Sequence, residues 1–329
     1  MDGLPHSLPL QITPTVQRTL KARIGCVGVG LHSGRRVALE LRPAAAGTGI
    51  VFRRTDLGVD IPARYDHVVD TRLCTVIGLP GNSQARVGTI EHVMAALAGA
   101  GVHNAVVAVD GPELPIHDGS SASALFLIDC AGIVAQTEFA QAIEVLRPVR
   151  VEQGEAFAEL RPAPFAFDMA MSIDFEAAAI GRQARTLRLT PESFRAELAH
   201  ARTFTLAGDV EQMRAAGLGL GGSLDNAVVV DGARVLNPTG LRMPDEPVRH
   251  KLLDAVGDLA LAGAPLRGTF VGHRTGHALN NQLLRALFAD DANWRVQPAT
   301  EAISRPDPGL LPALPAIAQR RRQRAVATA

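Results

Sequence analysis

The chain has 329 residues, enough for two domains that each bury a core, and 47% of them are hydrophobic, so it reads as globular. Lys plus Arg equals Asp plus Glu at 33 each, which leaves no bulk field to favour nucleic acid or an anionic membrane. Cys26, Cys74 and Cys130 are odd in number, widely spaced and without a CxxC pair, which excludes a disulfide framework or thiolate zinc site and fits a reducing, cytoplasmic setting.

Residues 1–16, broken by Pro5, Pro9 and Pro14, read as a flexible leader without the basic and apolar regions of a secretory signal, and no apolar run approaches a transmembrane segment. Alternation over residues 36–42 predicts a strand, entered through the glycine-rich stretch 28–34. That stretch is not a dinucleotide fingerprint, because it lacks the third glycine and leads into a strand where such a loop must open a helix. His32 within it suits either a ligand-contacting loop or an ordinary turn.

Thr89 is the expected N-cap of a helix over residues 91–98, stopped by Gly99 and Gly101. Glu91 and His92 fall in its first turn, where neighbours diverge by about 100°, so one can bind a metal while the other addresses a water. The helix dipole alone also favours a carboxylate there. A buried strand over residues 105–109 follows, then a helix through residues 125–128 with Asp118, Ser120 and Ser121 as helix-start chemistry.

Apolar periodicity weakens over residues 136–149, which places a boundary between domains 17–140 and 141–304. The second repeats the style of the first, with strands over 157–160 and 165–175, a helix over 191–198, a glycine-rich turn over 217–223 and a strand over 228–230. Glycine and serine turns cradle phosphates, so a small-molecule kinase is the competing reading. Against it, the turn lacks the P-loop lysine and feeds a Val-rich strand.

Residues 248–258 separate most cleanly when wound as a helix. With His250 at zero, Asp254 falls at roughly 40°, Asp258 at roughly 80° and Lys251 at roughly 100°, while Leu252, Leu253, Val256 and Leu259 occupy roughly 180–300°. His250 and Asp254 can reach one divalent cation, and Asp258 one turn on can orient a neighbour. The alternative is a solvated face of charge pairs, or a purely structural metal. A strand over 268–271 leads to residues 273–281, a loop opening a helix, with His277 as candidate acid. From Arg305 the chain is Pro-rich and ends in a basic run, read as a poorly ordered tail over 305–329.

Together, residues 28–34, 89–101, 113–121, 201–204, 219–223, 248–258 and 276–281 resemble the UDP-3-O-acyl-N-acetylglucosamine deacetylases, metal-dependent enzymes of lipid A biosynthesis, over residues 17–288. The resemblance implies an α+β fold of two similarly built domains, their helices packed together between two sheets and a metal at the interface. It implies His92, His250 and Asp254 as ligands of Zn2+, with Fe2+ the other ion the family carries, and one position left open. Glu91 becomes the general base and the Thr203 hydroxyl an oxyanion donor, while His277 is the cationic acid that Asp258 orients.

The substrate implied is the small molecule UDP-3-O-acyl-N-acetylglucosamine, whose N-acetyl group is hydrolysed to acetate in the committed step of that biosynthesis. Lys251 is implied as a substrate contact, Phe175 against the uracil, Phe204 near the sugar and Arg274 on the diphosphate. Arg274 stands where the family has lysine, and Glu155 and Ala156 stand where a further basic residue is expected after Gly154. An acyl-chain passage is implied over residues 205–232, lined by Leu206, Val210, Leu218 and Leu220.

Overall fold

A computed structural model describes residues 12–302 apart from Phe165, so residues 1–11 of the leader and the tail lie outside the described residues. Arg36–Pro43 turns Val37, Leu39 and Leu41 inward and its other side chains outward, the period-2 pattern of a strand with one face on a core. It sits second in a five-stranded sheet ordered Ile24–Val29, Arg36–Pro43, Ala105–Val109, Ile50–Arg54, Val59–Pro62. Within it, only Ala105–Val109 and Ile50–Arg54 run parallel.

The second half builds a seven-stranded sheet around Leu266–His273, which pairs antiparallel with Ala156–Arg161 and parallel with Phe167–Asp174. Gln141–Val145 also lies in this sheet, and Ile133–Phe139 pairs antiparallel with Val16–Leu20. The stretch of weak periodicity therefore carries strands. At the end of the stretch read as a leader, Ile12–Pro14 pairs antiparallel with Thr300–Ala302.

The helices among the described residues are α1 (Glu91–Gly99), α2 (Ala122–Ala131), α3 (Pro191–Ser193, continuing into a π-turn over Phe194–Leu198), α4 (Ala207–Ala215), α5 (Glu246–Leu259) and α6 (His277–Phe288). None is long and apolar enough to cross a membrane. α1 packs against α2 and α5, α2 meets the first sheet, and α5 and α6 lie on the second, giving an α+β layering of sheet, helices and sheet. One buried cluster runs through both halves, from Leu39, Phe52 and Leu97 to Leu160, Val256 and Phe270.

α5 is buried all round except at Arg249 and Lys251. Its polar wall faces α1, which removes the reading of a solvated charge face. Gly257 makes this possible, because a Cβ there would fall 2.0 Å from the carbonyl oxygen of Glu91. Glycine inside a helix costs about 1 kcal/mol relative to alanine. Here it lets the start of α1 touch the backbone of α5.

The start of α1 corrects one expectation. Ile90, not Thr89, occupies the N-cap, with no side-chain cap. Thr89 has φ of 55° and turns its hydroxyl 3.2 Å to Glu113 Oε1. That left-handed conformation is costly for a β-branched residue and is held by the surrounding bonds. Ser121 does stand at the N-cap of α2, but its hydroxyl donates to the carbonyl of His92 at 2.8 Å and so ties α2 to α1.

Candidate metal centre

Four acidic or imidazole side chains, Glu246, His250, Asp254 and Asp258, follow one another at intervals of four along α5, all buried. The first sets the position of the second. Glu246 Oε1 accepts from the Arg202 backbone N–H at 3.0 Å and from Nε at 2.8 Å, clamping residues 201–203 onto the first turn of α5. The neighbouring Ala201 carbonyl then accepts from His250 Nδ1 at 3.0 Å. With Nδ1 carrying the proton, Nε2 keeps its lone pair, as a ligating imidazole requires.

His250 Nε2 lies 3.2 Å from Asp254 Oδ1, and His92 Nε2 reaches the same oxygen at 3.7 Å from α1. One ligand atom from each of the three residues falls within 4.8 Å of the others, a grouping able to hold a metal ion. Two imidazole nitrogens and one carboxylate oxygen suit a borderline divalent cation. Burial pulls His250 down to about 4 against the opposing pull of Asp254, so it is neutral near pH 7. Burial would raise Asp254, but His250 and Lys251 hold it well below the usual carboxylate range, and Lys251 Nζ donates to Oδ2 at 2.8 Å.

Glu91 and His277 flank this group. Glu91 Oε2 accepts from the Thr75 backbone N–H at 3.0 Å, while Oε1 stands 4.0 Å from His277 Nε2. Burial raises the Glu91 carboxyl, opposed by His277 and His92. His277 is the first residue of α6, and its Nδ1 donates to Asp258 Oδ2 at 2.9 Å. Burial and the positive end of the helix dipole both disfavour an imidazolium here. Asp258, Glu91 and Asp254 outweigh that burial and lift His277 to about 9.

Thr203 lies two residues after Ala201, whose carbonyl holds His250. Its backbone N–H donates to Gly119 O at 2.7 Å and its carbonyl accepts from Val228 at 2.8 Å. A ladder of rings leads outward, from His92 to His250 at 5.0 Å, on to Phe204 at 6.4 Å and then to Phe175 at 5.4 Å. Phe175, Lys251 and Arg274 line one cavity of about 390 Å³ with Leu206 and Thr275. Arg274 Nη1 is paired with Glu155 Oε2 at 2.9 Å at its exposed rim. A larger cavity of about 560 Å³, bordered by Leu97 and Leu259, contains none of the expected site residues.

Along residues 205–232, α4 buries none of its side chains, and Leu220 is 54% exposed against Gly34. The glycine-rich turn is not a phosphate cradle. Six of its seven N–H groups are already used, among them Leu220 on His32 O, Gly221 on Leu31 O and Ser223 on Asn226 Oδ1. Gly221 is glycine because a Cβ would fall 2.3 Å from Gly30 O.

Sequence reasoning misses Thr75, the Arg202–Glu246 pair, Asn280 and the role of Glu113, whose carboxylate accepts from the N–H groups of His32 and Ser33 at 2.7 and 2.8 Å. Only Glu246 carries a readable signal, since it extends the four-residue spacing of His250, Asp254 and Asp258 by one step.

The sequence model of the UDP-3-O-acyl N-acetylglycosamine deacetylase family matches residues 17–289. The chain is 50% identical over 282 residues to the UDP-3-O-acyl-N-acetylglucosamine deacetylase of Acidithiobacillus ferrooxidans, covering 84% of this chain and 91% of that one. It is 49% identical over 280 residues to the enzyme of that name from Anaeromyxobacter dehalogenans, covering 85% and 90%. Against that from Idiomarina loihiensis it is 49% identical over 282 residues, covering 84% and 91%. A match that runs from the strand of Val16–Leu20 to the end of α6 takes in both halves of the candidate metal centre, and the chain belongs to the UDP-3-O-acyl N-acetylglycosamine deacetylase family.

Proposed function

We propose that this chain hydrolyses the N-acetyl group of UDP-3-O-acyl-N-acetylglucosamine to acetate and a free amine, the committed step of lipid A biosynthesis. The observation that carries the reading is the pairing of Glu91 Oε1 and His277 Nε2 at 4.0 Å beside His92, His250 and Asp254. His92, His250 and Asp254 would hold Zn2+, with Fe2+ the alternative because His and Asp donors accept both. When bound, such an ion supplies Lewis acidity and activates a water.

Each protein group then has a place in the reaction. Glu91 takes the proton of the attacking water on Oε1, since Oε2 is occupied by the Thr75 N–H. The Thr203 hydroxyl donates to the oxyanion that develops on the amide. His277, cationic at neutral pH, stabilises that charge and gives its Nε2 proton to the departing amine, while Asp258 keeps Nδ1 in place.

The cavity beyond Phe204 takes the nucleotide part of the substrate. Phe175 packs on the uracil, Phe204 lies beside the sugar, Lys251 contacts the substrate next to Asp254, and Arg274 exchanges Glu155 for the diphosphate. The acyl chain runs along residues 205–232, past Leu206, Val210, Leu218 and Leu220. The protein works in the cytoplasm on a small molecule and not on nucleic acid, with two domains joined near residue 140.

Acetate release from UDP-3-O-acyl-N-acetylglucosamine, measured before chelation, after chelation and after adding back limiting zinc, tests the reading. Activity that disappears and returns is expected. A folded, metal-loaded protein that releases no acetate would overturn it.

A further inference from the structure

Thr75 lies in the loop before the strand Val76–Leu79 and is 2% exposed. Each of its polar groups is bonded to the candidate site. Its N–H donates to Glu91 Oε2 at 3.0 Å, its carbonyl accepts from Ile90 at the start of α1, and its hydroxyl donates to Asp258 Oδ1 at 2.6 Å. Asp258 Oδ2 in turn holds His277 Nδ1 at 2.9 Å and Asn280 Nδ2 at 2.8 Å, and Asn280 is fixed by the Thr275 hydroxyl at 3.0 Å. The nearby Leu73 has φ of 65°, so this loop is held in an uncommon conformation where it meets the two helices.

We infer that Thr75 is a positioning residue for the proposed reaction, holding the base Glu91 and the acid His277 in register by bonding to Glu91 directly and to His277 through Asp258. The physical reason is hydrogen-bond satisfaction. Asp258 is 2% exposed, and its Oδ1 receives a hydrogen bond from the Thr75 hydroxyl. Without that donor a buried carboxylate oxygen is left bare, and the carboxylate is free to turn about its Cβ–Cγ bond. His277 turns with it, and Nε2 leaves its place 4.0 Å from Glu91 Oε1. A threonine suits the task because its branched side chain has few χ1 options, so the hydroxyl direction is set by packing.

The inference rests on the deacetylase reading and is tested by three variants of the metal-loaded protein. Thr75→Val preserves shape and backbone N–H but removes the hydroxyl. It is expected to lose on the order of ten- to a hundredfold in kcat, with KM and metal content unchanged. Thr75→Ser is expected to stay within a few-fold of the parent, and Thr75→Ala carries the same comparison if the valine variant does not fold. In a His277→Gln background, Thr75→Val should cost nothing further, because the group it positions is gone. Full turnover in Thr75→Val, no rescue by serine, or an equal loss in both backgrounds overturns the inference.

A readout independent of activity separates its failure from that of the deacetylase reading. The His277 Nδ1–H proton, bonded to a carboxylate, should resonate far downfield in the parent and Thr75→Ser, and move upfield in Thr75→Val. An unmoved resonance refutes Thr75 as its anchor even in a protein that releases no acetate.

Discussion

His277 Nδ1 lies 2.9 Å from Asp258 Oδ2, a contact that fastens the first residue of α6 to the last turn of α5. It leaves Nε2 as the only nitrogen of His277 that can address a substrate, and it sets that nitrogen opposite Glu91. The proposed acid and base thus come from different halves of the chain, and the helix that fixes His277 also carries two of the candidate ligands.

Removing the base should separate chemistry from metal binding. Glu91→Ala is expected to retain its metal and lose on the order of 10²–10⁴ in kcat. His250→Ala should instead lose metal affinity, since it removes a ligand already oriented by Ala201 O at 3.0 Å. Metal analysis alongside acetate release checks both, and unchanged turnover in the first or stoichiometric metal in the second would contradict the assigned roles.

The pH profile should be bell-shaped. Burial raises Glu91, so activity rises with pH as that carboxyl loses its proton. His277 must keep its proton, and with its pKa lifted to about 9, activity falls as pH passes upward through that region. His277→Gln is expected to abolish the alkaline limb of the kcat/KM profile. If the limb persists in that variant, another group titrates there.

Gly257→Ala improves helix propensity by about 1 kcal/mol yet should destabilise the protein. The new Cβ would sit 2.0 Å from the Glu91 carbonyl, so α1 must back away and take Glu91 and His92 with it. Thermal unfolding should show a lower Tm, and equilibrium dialysis weaker metal retention. A variant with parental Tm and metal affinity would show that the close approach is dispensable.

Glu155→Gln should lower KM for the UDP-sugar by about two- to fivefold at low ionic strength, with kcat unchanged. In the proposed reading the carboxylate competes with the substrate diphosphate for Arg274, and the pair is exposed, so its worth is small and screened by salt. KM measured across a salt series decides the matter. An effect that persists at high salt points to a change of loop shape and not of charge.

Much of the centre is legible in the order of the residues alone. The spacing of His250, Asp254 and Asp258 needs only the helical period, and Glu91-His92 at a helix start follows from a local pattern of caps and glycines. His92 as the third candidate ligand comes from the family resemblance, since nothing local links α1 to α5. The expected N-cap falls wrongly on Thr89 because a threonine before a helix normally caps it, and only Glu113, 24 residues on, draws its hydroxyl away.

By itself the sequence determined the period-2 alternation of residues 36–42 and the amphipathic register of α5, because each depends on neighbours a few residues apart. Tertiary structure decided which way the polar wall of α5 faces. The missing Cβ of Gly257 lets α1 cover that wall, so charges that would pair in water are buried and must pair with one another. It also decided the partners of Thr75, which stands 16 residues from Glu91 and 183 from Asp258. Contacts over such separations follow from how helices and sheets pack, and no local periodicity records them.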